Sequence, residues 1–323
     1  MGDPILSVKN LTVHFHTEAG VVKALEDVSF SVGQGEVLGL VGETGCGKSV
    51  TALSVMRLIP TPPGRIVGGT IHFDGRDVLA LSEEEMRSLR GKDMAMIFQD
   101  PISSLNPVFT AGYQVEEAIV THEAVPRRED LIARVTGLFK KVNISDPEKS
   151  VRSYPHMLSG GMKQRVMIAM GLSCSPRLII ADEPTTALDV SIQAQILSLI
   201  RRLQMEGGSS VLLISHDLGV IAAMAQTVAV MYAGSIVEKT SVKTLFDRPL
   251  HPYTRGLLGA IPRLDVDQER LSVIPGTLPD LFNLPRGCKF RERCSEALPL
   301  CAEGRPLLAE IEPGHEVACY ARA

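Results

Sequence analysis

Residues 42–49 read Gly-Glu-Thr-Gly-Cys-Gly-Lys-Ser, which fits the pattern of a phosphate-binding loop. An apolar run at residues 36–41 indicates a buried strand before the loop, and residues 50–58 after it have the pattern of a helix. Glycines let the loop backbone curl around a phosphate chain, with N–H groups pointing inward and the helix N-terminus adding positive potential. We therefore predict that Lys48 reaches the β- and γ-phosphates of a nucleotide and that Ser49 binds Mg²⁺.

Two further apolar runs end in side chains that can act on a phosphate. Residues 178–181 lead to Asp182 and Glu183, and residues 211–214 lead to Ser-His-Asp with the histidine at 216. Buried parallel strands deliver their last residues to the carboxyl edge of a sheet, where ligands bind. Asp182 is then placed to hold Mg²⁺, directly or through water, and Glu183 is a candidate general base for the attacking water. His216 is a candidate for contact with the γ-phosphate.

A glycine-rich turn, Leu-Ser-Gly-Gly-Met at residues 158–162, offers a second anion site. Ser159, Gly160 and Gly161 open a predicted helix over residues 162–172, so their N–H donors stand beside a helix N-terminus. Taken alone, this pattern is also that of an ordinary capped helix. Its functional meaning depends on the order of the other motifs.

The ordered motifs resemble those of the nucleotide-binding subunit of an ABC transporter over residues 5–240. The resemblance implies a Walker A loop at residues 42–49 and a Walker B strand that ends at Asp182. It also implies the family signature at residues 158–162, with Met162 in place of the usual glutamine. In this family two subunits pair head to tail, and the signature of one closes over the nucleotide of the other.

The resemblance also implies a role for individual residues. Gln99 matches the Q-loop, Asp189 matches the D-loop, and Phe15 is in the place of an adenine-stacking aromatic. The implied catalytic residues are Glu183, His216 and Gln99. The implied Mg²⁺ ligands are Ser49, Gln99 and Asp182. The residues implied to contact ATP are Phe15, Gly42, Glu43, Thr44, Gly45, Cys46, Gly47, Lys48, Ser49, Val50, Gln99, Ser159, Gly160, Gly161 and Asp189.

The fold class that follows is α/β, a P-loop NTPase of the ABC type with a RecA-like core, an antiparallel β subdomain, a helical subdomain and a C-terminal extension. Alternating apolar residues at 5–41 indicate the antiparallel strands. Residues 100–172 read as helical and are interrupted by prolines, which indicates the helical subdomain. We expect an ATPase domain over residues 1–240 and an extension over 241–323 that lacks clear strand alternation.

The extension indicates a subfamily. Residues 248–255 and 274–280 resemble the C-terminal region of ABC ATPases that serve importers of dipeptides, oligopeptides, or in some relatives nickel and other small solutes. Within the first stretch, Pro252 also suits the first position of a helix. The resemblance implies an ATP-hydrolysing subunit that energises di- or oligopeptide import. We also expect Gln99 and the segment Asp100–Pro107 to contact a permease loop, and substitutions at Leu105 or Phe109 to uncouple transport while basal ATPase activity remains.

The implied partners are a second, paralogous ABC ATPase, two transmembrane permeases and an extracytoplasmic solute-binding protein. Two alternatives remain open. One is an importer of nickel or another non-peptide solute, and the other is a soluble ABC ATPase that acts on ribosomes or DNA. The single phosphate loop and the lack of a long heptad run disfavour the soluble class.

Four of the six cysteines lie in the extension, namely Cys288, Cys294, Cys301 and Cys319. The expected cytosolic location disfavours disulfides, and a metal would supply folding energy that this proline-rich segment lacks. The absence of a C-x2-C pair weakens zinc, whereas four thiolates suit an iron–sulfur cluster. Some relatives with this tail carry a 4Fe–4S cluster, and the resemblance implies one here; zinc and free thiols remain alternatives. Cys46, inside the phosphate loop, is expected to be sensitive to alkylation.

Composition limits the class of protein further. Charged residues make up 22% of the chain and the net charge is −4, which is unlike the basic surface of a dedicated nucleic-acid-binding protein. No uninterrupted apolar stretch approaches the about 20 residues that span a bilayer, and the N-terminus shows neither an export nor a myristoylation pattern. We therefore expect no nucleic-acid partner, and a peripheral location at the cytoplasmic face of the plasma (inner) membrane through partner subunits.

Overall fold

The computed structural model describes residues 3–124, 127–186, 188–261 and 273–322. The chain forms two compact units, and neither is one continuous stretch. The first unit comprises Met1–Ile5, Val32–Glu36 and Ala80–Ile214. The second unit comprises Leu6–Ser31, Val37–Leu79 and Ser215–Ala323.

The second unit contains the predicted antiparallel strands. They are β1 (Leu6–Thr17), β2 (Gly20–Val32), β4 (Gly64–Phe73) and β5 (Arg76–Asp77). Their order in the sheet is β2-β1-β4-β5, and β1 runs antiparallel to β4 with Leu6 opposite Phe73. Val8, Leu11 and Val13 of β1 are buried, as their apolar spacing predicts.

Parallel pairing in the second unit places the strand that leads into the phosphate loop. The remaining strands of this unit are β3 (Val37–Val41), β9 (Thr227–Tyr232), β10 (Ser235–Ser241), β11 (Ala309–Glu312) and β12 (His315–Val317). β3 lies parallel to β9, and all five of its residues are buried. The helices of this unit are α1 (Lys48–Val55), α9 (Leu218–Met224), α10 (Val242–Asp247), α11 (Pro252–Gly259) and α12 (Leu300–Glu303). A 3-10 turn covers Arg291–Arg293.

The C-terminal extension contains a hairpin that the sequence did not predict. Strands β11 and β12 pair antiparallel, and β12 also pairs with β10, where Glu238 lies opposite Val317. With four and three residues, these strands are too short for alternation to be recognised. The predicted helix start at Pro252 is confirmed, and the ring of His251 accepts a hydrogen bond from the N–H of Tyr253.

The first unit holds a parallel set of strands. β6 (Met94–Ile97), β7 (Leu178–Asp182) and β8 (Ser210–Ser215, whose last residue is counted with the second unit) lie in the order β8-β7-β6. The register places Asp182 at the end of β7 opposite Ile214 of β8. Every residue of β7 is buried, as expected for a central parallel strand.

The segment predicted to be helical is helical. The helices of the first unit are α2 (Glu83–Leu89), α3 (Pro101–Ser104), α4 (Ala111–Val120), α5 (Arg128–Lys141), α6 (Pro147–Ser150), the 3-10 turn Pro155–Met157, α7 (Gly160–Gly171) and α8 (Val190–Gly207). Pro101, Pro147 and Pro155 begin helices, where a missing N–H costs nothing; Pro126 lies outside the described residues. None of the helices in the described part of the chain is both long and apolar enough to cross a membrane.

Candidate nucleotide-binding site

The predicted phosphate-binding loop joins β3 to α1 in the second unit. The strand–loop–helix order is confirmed, although the helix begins at Lys48 and ends at Val55 instead of residue 58. Gly47 is the N-cap residue with φ 110°, and a Cβ there would stand 2.7 Å from Leu25 Cδ2. Only glycine accepts both this backbone conformation and this close approach. The loop conformation therefore depends on its glycines.

Lys48 and Ser49 occupy the first turn of α1. The Lys48 ammonium is buried and donates hydrogen bonds to the carbonyl oxygens of Gly42 at 2.8 Å and Glu43 at 3.1 Å. Ser49 follows it and is exposed. A positive charge and a hydroxyl thus lie on neighbouring residues at a helix N-terminus. These are the groups that bind phosphate oxygens and Mg²⁺.

Cys46 does not have the environment of a reactive thiol. It is 1% exposed, and burial raises its pKa to about 11. The thiolate is the nucleophile in alkylation, and it is rare at neutral pH when the pKa is this high. The expectation that Cys46 is sensitive to alkylation is therefore wrong for the folded protein.

The other candidate residues of the second unit are Phe15, which lies in a strand, and His216, which directly follows one. His216 is exposed and directly follows β8. The next residue, Asp217, caps α9 by accepting a hydrogen bond from the N–H of Gly219 at 2.7 Å. Phe15 is half-buried in β1, opposite Gly64. Contact of Phe15 with adenine and of His216 with the γ-phosphate stay predictions.

In the first unit, the two predicted carboxylates stand at the carboxyl edge of β7. Asp182 is its buried last residue. Glu183 has φ 45°, a left-handed conformation that costs a non-glycine residue about 1–2 kcal/mol. Its N–H donates to the carbonyl of Ile214 at 3.0 Å, so the chain turns sharply while staying attached to β8.

Side chains of the first unit donate hydrogen bonds to the Glu183 carboxylate. Its Oε2 accepts hydrogen bonds from Gln99 Nε2 at 3.1 Å and from Thr186 Oγ1 at 2.9 Å. Gln99 lies just beyond β6, so the structure brings the predicted Q-loop residue to the predicted base. Thr186 was missed by the sequence reasoning. The Glu-x-x-Thr spacing within a turn was the only signal that could have found it.

Ser159 and Asp189 are helix caps on exposed helix ends. The hydroxyl of Ser159 accepts a hydrogen bond from the N–H of Met162 at 3.3 Å, and α7 begins at Gly160, two residues earlier than predicted. Asp189 accepts hydrogen bonds from the N–H of Ile192 at 2.9 Å and from a neighbouring serine hydroxyl, which lower its pKa. Helix N-termini carry N–H groups without an intrahelical partner, which is what an anion site on a helix requires. Their action across a subunit pair stays a prediction.

The segment predicted to contact a permease loop, together with the residues that follow it, has one buried and several exposed apolar side chains. Leu105 is only 2% exposed, so its predicted contact with a permease loop is wrong. Phe109 is 42% exposed and stacks on Tyr113 with ring centroids 4.9 Å apart. Ile102 and Val108 are 69% and 68% exposed. We call Ile102, Val108, Phe109 and Tyr113 the apolar patch.

The four cysteines of the extension are neighbours without a ligand geometry. Burial, and then repulsion from Cys301, Cys294 and Cys319, raise the pKa of the Cys288 thiol to about 11. All of them are free thiols, and the N–H of Cys288 donates to the carbonyl of Cys301 at 2.8 Å. Among the described residues, no group of three or more His, Cys, Asp or Glu side chains is arranged to hold a metal ion. The predicted iron–sulfur or zinc site therefore has no geometric support in the described part of the chain.

Comparison with known proteins decides the family. A family profile described as "ABC transporter" matches residues 25–186, and one described as "Oligopeptide/dipeptide transporter, C-terminal region" matches residues 237–301. The chain belongs to the ABC transporter family of ATP-binding proteins. This ABC ATPase is 53% identical to a probable peptide ABC transporter ATP-binding protein of Sinorhizobium fredii, over 98% of its own length and 95% of that protein's. It is 47% identical to the dipeptide transport ATP-binding protein DppD of Bacillus subtilis, over the same shares of the two chains.

Solved structures agree with the fold. The ABC ATPase is similar to the ATP-binding cassette MJ0796 in a dimeric post-hydrolysis state bound to ADP and Pi, with a TM-score of 0.66 and 26% identity. That likeness covers 73% of this chain and 98% of the other. A second likeness, to cbiO1 from Clostridium perfringens, has a TM-score of 0.63 and 27% identity over 76% of this chain and 92% of that one. The protein is therefore a P-loop ATPase.

Proposed function

We propose that this ABC ATPase energises the import of di- or oligopeptides through a membrane transporter. The observation that carries the proposal is the oligopeptide/dipeptide transporter region at residues 237–301, which follows the ATPase motifs in one chain. Relatives that match nearly the whole chain are named for peptide or dipeptide transport, including DppD. These relatives align with 98% of this chain, so the similarity covers both the ATPase motifs and the C-terminal extension.

A growth assay that depends on peptide uptake tests which class of solute is imported. An amino-acid auxotroph lacking this gene should fail to grow on the required amino acid supplied as a di- or tripeptide, and the wild-type gene should restore growth. The Lys48→Ala gene should not, since the buried ammonium that balances phosphate charge is lost. Restored nickel uptake without restored peptide use would move the assignment to a metal importer. Co-sedimentation with ribosomes or DNA and no transport defect would move it to the soluble class.

We further propose the roles of the individual motif residues in hydrolysis. Lys48 binds the β- and γ-phosphates, and Ser49 and Asp182 supply the hydroxyl and carboxylate oxygens that suit Mg²⁺. Glu183, oriented by Gln99 and Thr186, accepts a proton from the attacking water. His216 contacts the γ-phosphate, and Phe15 stacks on adenine. The Mg²⁺ ion, when bound, offsets charge on the phosphate oxygens.

Head-to-tail pairing with a second ATPase is part of the proposal. Ser159 and its two glycines then present the N-terminus of α7, and Asp189 the N-terminus of α8, to the partner's nucleotide. We propose that the partner is a paralogue. Co-purification from the native host should recover two different ATPases in equal amounts, whereas one ATPase species in a stoichiometric homodimer would contradict the paralogue.

We propose that the apolar patch receives a loop of a permease and so places the protein at the cytoplasmic face of the membrane. Its four residues are exposed although they are large and apolar, which is typical of an interaction surface. Replacing Val108 and Phe109 by Ser should abolish transport and membrane co-fractionation while basal ATPase activity stays within about twofold. Leu307→Ser is the matched control, because Leu307 is 75% exposed and lies in the extension. Equal transport by patch and control variants would refute the patch as the docking site. An extracytoplasmic solute-binding protein completes the proposed importer.

For the extension we propose a 4Fe–4S cluster on Cys288, Cys294, Cys301 and Cys319, with zinc as the alternative. The support is the number of thiols in this segment and the close approach of two of its cysteines, because the N–H of Cys288 donates to the carbonyl of Cys301 at 2.8 Å. Protein purified without oxygen should be brown and contain iron and sulfide close to four per chain. Colourless protein with one zinc would favour the alternative. Colourless, metal-free protein with four titratable thiols would refute both.

A further inference from the structure

The C-terminal extension reaches into the phosphate loop at Glu43. Arg293 Nη1 donates a hydrogen bond to Glu43 Oε2 at 2.9 Å, and this ion pair joins residues 250 positions apart. The Arg293 side chain is 7% exposed and that of Glu43 is 28% exposed, so solvent screens the pair only partly. Glu43 lies inside the loop that receives the negatively charged phosphates of ATP. A carboxylate at this position needs a positive neighbour.

Contacts other than the ion pair with Glu43 also hold the Arg293 side chain in place. Its Nε donates to the carbonyl of Pro275 at 2.8 Å, and its Nη2 donates to that of Ile274 at 3.4 Å. The guanidinium lies 5.7 Å from the centre of the Tyr232 ring, within the range of a cation–π contact. Because a held guanidinium loses little entropy on pairing, it can hold Glu43 in a defined position.

A second residue of the extension holds the backbone of Glu43. The N–H of Glu43 donates to the hydroxyl of Tyr253 at 3.0 Å. Tyr253 is completely buried and packs edge-on against Tyr232 with centroids 4.7 Å apart, and against Phe290 at 5.4 Å. Side chain and backbone of one loop residue are therefore both fixed by residues beyond position 240.

A third contact reaches the loop through a turn. The Lys289 ammonium donates to the carbonyl of Ala233 at 2.7 Å and to the hydroxyl of Ser235 at 2.8 Å. The N–H of Gly234, between them, donates to the carbonyl of Cys46 at 2.7 Å. The extension thus fixes the loop at Glu43 directly and at Cys46 indirectly.

We infer that Arg293 is a positioning residue for nucleotide binding: acting through Glu43, it sets the direction of the phosphate-loop backbone and balances the loop's own carboxylate. The N–H groups of the loop bind phosphate only when they point inward together, so a residue that fixes the loop's first turn favours the bound geometry in advance. Loss of Arg293 frees the loop and leaves the Glu43 charge to repel the phosphates. Both effects weaken ATP binding and leave the Glu183 chemistry intact. The inference concerns ATP binding, so it does not depend on which solute is imported.

The test compares Arg293→Ala with Arg305→Ala in the full-length chain. Arg305 is the matched control, because it also ties the extension to the core, through Asp27 at 3.2 Å and the carbonyl of Glu26 at 3.0 Å, without contacting the loop. Equilibrium binding of MgATP and steady-state ATPase kinetics should show a Kd and a KM about tenfold higher for Arg293→Ala, with kcat within about threefold. Arg305→Ala should keep all three within about twofold. Equal Kd values for Arg293→Ala and the wild type would overturn the inference.

A double-mutant cycle separates positioning from a general loss of structure. In a Glu43→Ala background, Arg293→Ala should change the Kd for MgATP by less than about twofold, because position 43 then has neither a charge nor a side-chain acceptor for the guanidinium. An undiminished tenfold effect in that background would show that Arg293 does not act through Glu43 and would overturn the inference. Should Arg293→Ala fail to fold, Arg293→Met keeps most of the buried length of the side chain and removes the guanidinium that donates to Glu43. It should raise the Kd about threefold to tenfold, and a wild-type Kd would again overturn the inference.

Discussion

Replacing Glu183 by Gln should remove a negative charge and leave the shape of the catalytic edge unchanged. Glu183 Oε2 accepts hydrogen bonds from Gln99 at 3.1 Å and from Thr186 at 2.9 Å. An amide oxygen in the same place can accept both bonds, although each changes from a charge-assisted to an ordinary hydrogen bond. The change costs about 1–2 kcal/mol in all, too little to unfold the protein.

The larger expected effect is on the rate of hydrolysis. A positioned general base contributes about 10²–10⁴ in rate, or about 3–5 kcal/mol of the barrier. Single-turnover hydrolysis of labelled ATP with excess enzyme measures this step directly, and equilibrium binding measures affinity separately. We expect Glu183→Gln to bind ATP within about threefold of the wild type and to hydrolyse it at least about a hundredfold more slowly.

Thr186→Val is the graded control for that prediction. It keeps the carboxylate and removes the hydroxyl that donates to it, so the rate should fall by about fivefold to tenfold, the value of one hydrogen bond. Glu183→Gln hydrolysing ATP within about threefold of the wild-type rate would refute the assignment of Glu183 as base. A Thr186→Val effect as large as that of Glu183→Gln would show that the turn is structural and not an orienting device.

Three further predictions concern residues of the second unit. Glu238 is completely buried and accepts hydrogen bonds from two backbone N–H groups at 2.8 and 2.9 Å and from His315 Nε2 at 2.7 Å. Glu238→Ala should therefore lower the free energy of unfolding, measured by urea titration, by about 3–5 kcal/mol. Cys46, with its pKa raised to about 11, should react slowly with iodoacetamide at pH 7 and faster as the pH rises toward 11, as followed by mass spectrometry. Gly47→Ala should weaken ATP binding at least about tenfold, because φ 110° and the Leu25 contact exclude a side chain.

Each of these has a matched control. Glu238→Gln keeps an acceptor and should lose less than half as much stability as Glu238→Ala; equal losses would contradict the hydrogen-bond explanation. The urea-unfolded protein should alkylate at Cys46 readily at pH 8, and equal rates in folded and unfolded protein would show that burial does not protect the thiol. Gly35→Ala shares a positive φ of 68° but has open space around it, so it should bind ATP normally. Equal binding defects at Gly35 and Gly47 would remove the steric argument.

The motif residues were predictable from the sequence because their chemistry depends on residues and elements that are neighbours along the chain. The loop from Gly42 to Ser49 needs a strand before it and a helix after it, and both are visible as apolar patterns. Thr186, Arg293 and Tyr253 were not predictable, since each acts through one specific contact that only the tertiary structure creates.

Errors in the sequence reasoning have equally physical causes. Leu105 sits in a segment where Phe109 is exposed, and only packing of the surrounding helices decides which of the two faces inward. The β11–β12 hairpin consists of strands too short to show a period of two. Cys46 was expected to be reactive from its place in a binding loop, but reactivity depends on burial, which the motif does not encode.

The long separation between Glu43 and Arg293 has a consequence during protein synthesis. A ribosome adds about 5–20 residues per second, so the phosphate loop exists for roughly 10–50 s before the arginine 250 positions later is made. With Arg293 as a positioning residue, a nascent or truncated chain carries every nucleotide motif and yet lacks the groups that fix Glu43. Such copies would bind ATP more weakly, and in the proposed head-to-tail pair, where the nucleotide lies between the subunits, they would compete poorly for partners. The position of the arginine 250 residues after Glu43 thus favours assembly of subunits that contain the extension.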